Sequence, residues 1–170
     1  NGYLATEQDW RDFSRFYHQT FEEKWGVATL NEKFFRQVAA RLPDQVLLVL
    51  ADLQGECIAG SLMYLSDTRL YGRYWGSVRQ VNSLHFEACY YQGIDYCIRH
   101  GLKRMDSGAQ GEHKLARGYL PTPVHSLHYI ADPSFRDAVA RYLAEERRAV
   151  DEEIEVLTAY GPFRRVETED

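Results

Sequence analysis

The sequence has little of what most sharply types a protein. It holds three cysteines in 170 residues, Cys57, Cys89 and Cys97. That is an odd number without paired motif spacing, which fits reduced core thiols of a cytosolic protein better than a disulfide set. The longest apolar run, Val46 to Ala51, is far too short to span a membrane, and no signal peptide is visible. Positive charge is also scarce: 20 Lys and Arg against 25 Asp and Glu give a net charge of −5. A protein that coats itself with nucleic acid is therefore disfavoured, while a local basic patch stays compatible. There is no Walker loop, no dinucleotide fingerprint and no serine nucleophile elbow. No internal repeat, low-complexity stretch or linker appears, so residues 1–170 are expected to form a single domain with a cytoplasmic location. What is present is a core-forming composition, 45% hydrophobic, and a high aromatic content of 14% with 12 tyrosines. That content suits a packed sheet and a lined cleft.

The apolar spacing sets out the elements. Thr6 is expected to cap a helix whose stripe is Trp10, Phe13, Tyr17, Phe21 and Trp25. Asn31 caps a second helix, with Phe34, Phe35, Val38 and Leu42 on one face, ending before Pro43. Gln45 to Leu53 reads as a strand covered on both faces. Short turns then lead to strands at Cys57 to Leu65 and Arg69 to Ser77, which makes an antiparallel meander. A helix from Ser83 to His100, capped by Asn82 or Ser83, is expected to turn Leu84, Ala88, Tyr91, Ile94 and Ile98 inward. Gly93 in its middle marks a close approach to the sheet. Leu102 to Ser107 follows as a strand parallel to its neighbour, then a short helix from Glu112 to Arg117 ending at Gly118, and a strand from Val124 to Ala131. Asp132 and Pro133 open a long last helix with a core stripe of Phe135, Ala138, Val139, Tyr142, Leu143, Val150, Ile154 and Leu157. This order predicts an α/β sandwich on a mixed sheet, an α+β arrangement.

The same order resembles the Gcn5-related acyl-CoA N-acyltransferase (GNAT-like) fold, an antiparallel meander plus a splayed parallel strand flanked by helices. Within that superfamily the chain resembles the FemAB-like proteins of peptidoglycan biosynthesis or recognition. The residues that carry the resemblance are Leu84-His85-Phe86-Glu87, Asp106-Ser107-Gly108-Ala109-Gln110-Gly111-Glu112-His113-Lys114, Leu70 to Gly76 and Ala116 to Pro121. The resemblance implies a bacterial-type transferase that moves an acyl group from acyl-CoA, or an aminoacyl group from aminoacyl-tRNA, to an amine on a small molecule or cell-wall precursor. No tightly bound cofactor is implied. FemAB-like chains carry two such domains. With Asn1 in place of Met and no room for strands before the first helix, the chain is expected to be the C-terminal half, with an N-terminal sister domain as partner. The alternative is a non-catalytic domain that recognises a cell-wall peptide, a sugar or a partner domain. The superfamily's Gly-rich pyrophosphate turn is replaced here by Ser77 to Ser83, preceded only by Gly76.

Amide formation from an activated acyl group needs a proton acceptor for the amine and donors for the developing oxyanion. Glu112 and His113 are the catalytic candidates beside the Gly108–Gly111 turn, and Glu87 is a third. Trp75, His85, Asp106, Gln110, Lys114 and Arg117 are candidates for binding substrate. Gly76, Ser77 and Arg79 are candidates for holding a cofactor phosphate at a helix start. His85 and Glu87 lie about 200° apart on a regular helix, so they are expected to face different ways. A metal site built from His85, Glu87, Glu112, His113, His125 and His128 is not favoured. His125 and His128 are three apart on a presumed strand and point to opposite faces. Cys89 and Cys97 read as core thiols rather than acyl relays. A tRNA-binding surface is not favoured by charge. It would require Arg69, Arg73, Arg79, Lys103, Lys114 and Arg117 to converge on one face.

Overall fold

A computed structural model describes residues 2–23, 26–108 and 111–163. The chain forms two compact units, residues 1–109 and 110–170.

The first unit begins with a short 3-10 turn, Gly2–Leu4, and helix α1, Glu7–Glu23. Thr6 and Asp9 cap α1 reciprocally: the Asp9 N–H donates to Thr6 Oγ1 at 3.2 Å, and the Thr6 N–H donates to Asp9 Oδ2 at 2.7 Å. Helix α2, Glu32–Arg41, starts where Asn31 Oδ1 accepts the Phe34 N–H at 3.0 Å. Trp25, expected to extend the α1 stripe, lies outside the described residues. The meander follows as β1 (Val46–Leu53), β2 (Glu56–Leu65) and β3 (Arg69–Ser77). Next come α3 (Leu84–Phe86), a π-helical turn (Glu87–Tyr91), α4 (Gln92–His100) and β4 (Arg104–Asp106).

The sheet has order β1-β2-β3-β4. The first two pairings are antiparallel and β3–β4 is parallel, as the helical crossover requires. One sheet face packs on α1 and α2 through Trp10, Phe13, Tyr17, Phe35, Ala39, Val46 and Leu62. The other packs on α4 through Leu47, Met63, Leu70 and Cys97. The β1 strand is an edge, yet it is covered on both faces as its apolar run predicts: Val46 and Leu48 pack on the α1 side and Leu47 and Val49 on the α4 side, while its far end, Asp52 and Leu53, is exposed.

The helix after β3 also departs from the regular spacing. Ser83 precedes it in the left-handed region, φ 63°, and its side chain caps nothing. The π-helical turn inserts one residue and rotates everything after it by about 100°. The buried set is Ala88, Tyr90, Gly93 and Cys97, while Tyr91 and Ile98 are exposed. Gly93 faces the sheet as expected: an added Cβ would stand 2.3 Å from Met105 Cε.

In the second unit a 3-10 helix, Glu112–Arg117, ends at Gly118 in the left-handed region, φ 86°. Helix α5, Pro133–Ala159, starts where Asp132 Oδ1 accepts the Phe135 N–H at 2.7 Å. The α5 stripe keeps its helical period without forming a core. Val139, Leu143, Ile154 and Leu157 are half-buried, and Phe135, Tyr142 and Val150 are exposed. The strand expected at Val124 to Ala131 pairs with no strand among the described residues, and Val124, Leu127 and Tyr129 are exposed. Alternation supplies an extended preference, but a strand exists only through its ladder. Pro121 and Pro123 lead into this stretch without N–H donors.

Two glycines at helix–sheet contacts, Gly76 in β3 and Gly93 in α4, give opposite expectations. A Cβ on Gly76 would stand 2.3 Å from the Phe16 backbone C and O, which cannot move without shifting α1. Gly76→Ala is expected to destabilise by about 3 kcal/mol or more in urea denaturation. Gly93→Ala meets the flexible end of Met105 and gains about 1 kcal/mol of helix propensity, so its net cost should be the smaller.

Candidate functional site

Chain geometry opens a cleft beside β3. The β3–β4 pairing lasts only from Arg69↔Arg104 to Tyr71↔Asp106. Beyond it β3 continues from Gly72 to Ser77 with no described strand on that side, leaving about 20 Å of open edge. Along it, alternate residues turn backbone N–H and C=O groups to a side on which no described strand pairs with them. At the far end of this edge lies a pocket of about 630 Å³, lined by Glu23, Trp75, Ser77, Arg79, Leu84 and His85 among others. Four of the residues singled out in the sequence therefore meet in one place: Trp75, Ser77, Arg79 and His85. A depression of about 720 Å³ over the outer face of α2 is lined by Asn31, Lys33 and Arg36. Arg36 there is held by Glu7 and Glu32, and no aromatic wall or strand edge adjoins it.

The π-helical turn shapes the pocket wall. It brings residues five apart into contact, which a regular helix does not. The His85 ring lies 5.4 Å from Trp75 and 5.4 Å from Tyr90, edge to face with both. Gln92 Nε2 donates to Glu87 Oε1 at 2.8 Å by the same spacing. Glu87 is exposed and does not line the pocket. Regular helical spacing groups His85 with Gln92 and Glu87 with Tyr90, whereas the π-helical turn brings His85 to Tyr90 and Glu87 to Gln92. The available signal was the five-residue step between the small residues Ala88 and Gly93.

The expected phosphate-holding residues are engaged in local structure. Gly76 is buried under α1. Ser77 Oγ lies 2.5 Å from the Arg79 carbonyl and 3.2 Å from that of Ile58, and accepts the Arg79 N–H at 3.2 Å, so it shapes the turn. Arg79 pairs with Glu56 at 2.5 Å, both half-exposed. Asp106 faces Arg69 at 3.7 Å, a weak surface pair outside the pocket.

In the second unit, Arg117 Nη1 donates to the His113 carbonyl at 2.7 Å. The His113 ring covers Gly111, where a Cβ would stand 2.4 Å from Cε1. Burial pushes the Lys114 ammonium below its ordinary value. Gln110 lies outside the described residues, and so does the Glu112 side chain. The cations of the tRNA reading are not gathered within the first unit. Arg69 opens β3 and Arg79 lies two residues past its other end, and Lys114 and Arg117 belong to the second unit.

A mixed sheet with an antiparallel meander, a short parallel pairing and an open edge ending at a helix start is an α+β, GNAT-like arrangement. A crystal structure of a point mutant of the BH1408 protein of Bacillus halodurans matches with TM-score 0.53 and 17% identity, covering 74% of this chain and 97% of that one. A tetramutant of the same protein matches with TM-score 0.47 and 18% identity, covering 60% and 78%. No curated protein matches the sequence significantly. The chain belongs to the FemAB-like family of peptidoglycan biosynthesis/recognition, which matches residues 1–165. No described helix is long and apolar enough to cross a membrane.

The thiols are set against nucleophilic use. Burial pushes the Cys89 thiol up to about 11. Burial, followed by the charge of Asp52, pushes Cys57 up to about 11 as well. Burial raises Cys97 too. Alkylation of Cys57 by iodoacetamide is expected to accelerate about tenfold per pH unit from neutral pH and to level off near pH 11. Asp52→Asn should lower that midpoint while leaving it above 9, because burial is the larger cause. A midpoint at or below 9 in the unmodified chain refutes this account.

Proposed function

We propose that the chain is an N-acyltransferase domain, moving an acyl or aminoacyl group from a thioester or charged tRNA to the amine of a peptidoglycan precursor. The observation that supports it is the open edge of β3 running into the pocket of Trp75, Ser77, Arg79 and His85. An extended donor arm can add to that edge as a strand would, satisfying its N–H and C=O groups and bringing the reactive carbonyl to the pocket. Edge N–H groups are then suited to the oxyanion. The amine lone pair attacks the carbonyl carbon, the C–N bond forms, the thiolate or alkoxide leaves, and the amine proton passes to a base. His85 is the histidine on the pocket wall and takes that role in the first unit. The proton-handling roles of Glu112 and His113, the anion-binding roles of Lys114 and Arg117, and the N-terminal sister domain belong to the same proposal.

One observation favours the second reading, a recognition domain without turnover. Arg79 is already paired with Glu56, so a pyrophosphate must displace a carboxylate to reach it.

A thermal-shift titration with acetyl-CoA and longer acyl-CoAs separates the two. A ligand at about 100 times its Kd should add about 2.7 kcal/mol of stability. His85→Gln should leave the free protein's Tm within a few degrees and weaken that shift. It should also lower single-turnover transfer to a peptidoglycan-precursor amine by about a hundredfold. No shift up to millimolar acyl-CoA, together with no transfer from charged tRNA, overturns catalysis in favour of recognition.

A further inference from the structure

The helix-side face of the sheet is only partly covered. Helices α1 and α2 stack on Tyr74, with ring centroids 5.2 Å from Tyr17 and 5.9 Å from Phe35. Beyond Tyr74 the same face carries a different set of side chains. The register sets Tyr64 of β2 opposite Tyr71 of β3, and Tyr71 opposite Asp106 of β4; the next row holds Arg69 opposite Arg104. Their strand neighbours Leu65, Leu70 and Met105 pack on the α4 side, so alternation turns this set to the other face. Arg73 joins it, its guanidinium 4.5 Å from the Tyr74 ring centre. Tyr71 is 38% exposed, Arg73 and Arg104 are exposed, and the Arg69 and Asp106 side chains are 40% and 42% exposed.

Three arginines thus share this face with one carboxylate and an exposed tyrosine ring, on a chain whose net charge is −5, and of the three Arg69 is the one paired with Asp106. None of these groups is explained by packing. The Arg69–Asp106 pair at 3.7 Å is too long and too exposed to matter much for stability. An aromatic ring with a neighbouring carboxylate suits a ligand that offers an apolar C–H face and hydroxyl donors. The guanidinium excess suits a carboxylate or phosphate on the same ligand. A nucleic-acid strand would bring many phosphates to a net-acidic chain and set some of them against Asp106.

We propose that this part of the sheet is a binding face for an anionic saccharide. Tyr71 takes a face of the sugar ring, Asp106 accepts its hydroxyls, and Arg69, Arg73 and Arg104 take its acid group. The choice of saccharide rests on the family's peptidoglycan connection and is independent of acyl transfer. The face would hold glycan while the pocket at the end of β3 does its own work.

The test is a titration of the full chain with N-acetylmuramic acid and with N-acetylglucosamine, followed by amide proton–nitrogen correlation spectra. The two sugars share the acetamido ring and differ by the lactyl acid. N-acetylmuramic acid is expected to shift the amides of Tyr64, Tyr71, Arg73, Arg104 and Asp106 with a Kd of about a millimolar, and N-acetylglucosamine to bind about fivefold more weakly or less. Tyr71→Ala and Arg104→Ala should each weaken the acidic sugar about fivefold while leaving any acyl-CoA shift unchanged, and Arg104→Ala, at an exposed position, should leave Tm unchanged as well. The proposal is overturned by an absence of shifts up to about 50 mM, since that is weaker than any specific site of this make-up. Equal binding of the two sugars, or shifts centred on Trp75 and His85, also overturns it. So does displacement of the sugar by an oligothymidine that binds the same amides more tightly. Failure of acyl-CoA binding leaves all of these readouts intact, so the two proposals fail separately.

Discussion

The close seating of α1 on the sheet is the constraint on which the rest of the first unit depends. Gly60 and Gly76 are cross-strand partners in β2 and β3, and both turn their missing side chains toward α1. A Cβ on Gly60 would stand 3.0 Å from the Phe13 ring, and one on Gly76 would run into the Phe16 carbonyl. Above these glycines Phe13, Tyr17, Phe35 and Tyr74 pack edge to face, with centroids 5.2 to 5.9 Å apart. Fully burying rings of this size contributes about 1.5–3 kcal/mol each. Their mutual geometry allows little slack, because interiors are packed at crystal-like density. With α1 fixed there, Glu23 at its end and Trp75 beyond Tyr74 are brought to the same pocket.

Where local chemistry decides structure, the sequence was readable. Thr6, Asn31 and Asp132 cap the helices they were expected to cap, because a side-chain oxygen at a helix start answers to its nearest backbone N–H groups alone. The meander could be read from its turns, and the parallel β4 from the length of the crossover. The FemAB-like motifs around His85 and Asp106 pointed to the family the chain belongs to. Trp75, Ser77, Arg79 and His85 were singled out and do share a pocket. The strand at Val124 to Ala131 was not recoverable in the same way. Its alternation states a preference, and the partner that turns preference into a ladder is not encoded within the segment.

Two one-residue insertions carried most of what the sequence hid. The π-helical turn at Glu87–Tyr91 changes the phase of the helix, so a stripe counted at regular spacing picks Tyr91 and Ile98 where the fold buries Tyr90 and Cys97. No residue type demands such a turn. It is set by what the helix must satisfy at both ends: His85 against Trp75 at its start, and Gly93 against Met105 further on. A regular helix could meet one of these contacts and would miss the other by about 100°.

The second insertion lies in β3. Pairing shifts between Leu62 and Met63, so that Met63 opposes Gly72 and Leu62 opposes Tyr74, with Arg73 as the extra residue. Strict alternation from Tyr71 would put Arg73 and Trp75 on its own face and turn Tyr74 and Gly76 to the other. The bulge reverses that order. It returns Tyr74 and Gly76 to the α1 side, where one packs on Tyr17 and the other admits Phe16. It sends Trp75 to the opposite side, where His85 meets it. It also leaves Arg73 over Tyr74, beside Tyr71 and Arg69. One extra residue therefore divides β3 into three uses: a seat for α1, a wall of the pocket, and a charged aromatic face. That residue lies two positions past Tyr71, where pairing with β4 ends, so the change of face in β3 falls just where its second edge is left without a described partner strand.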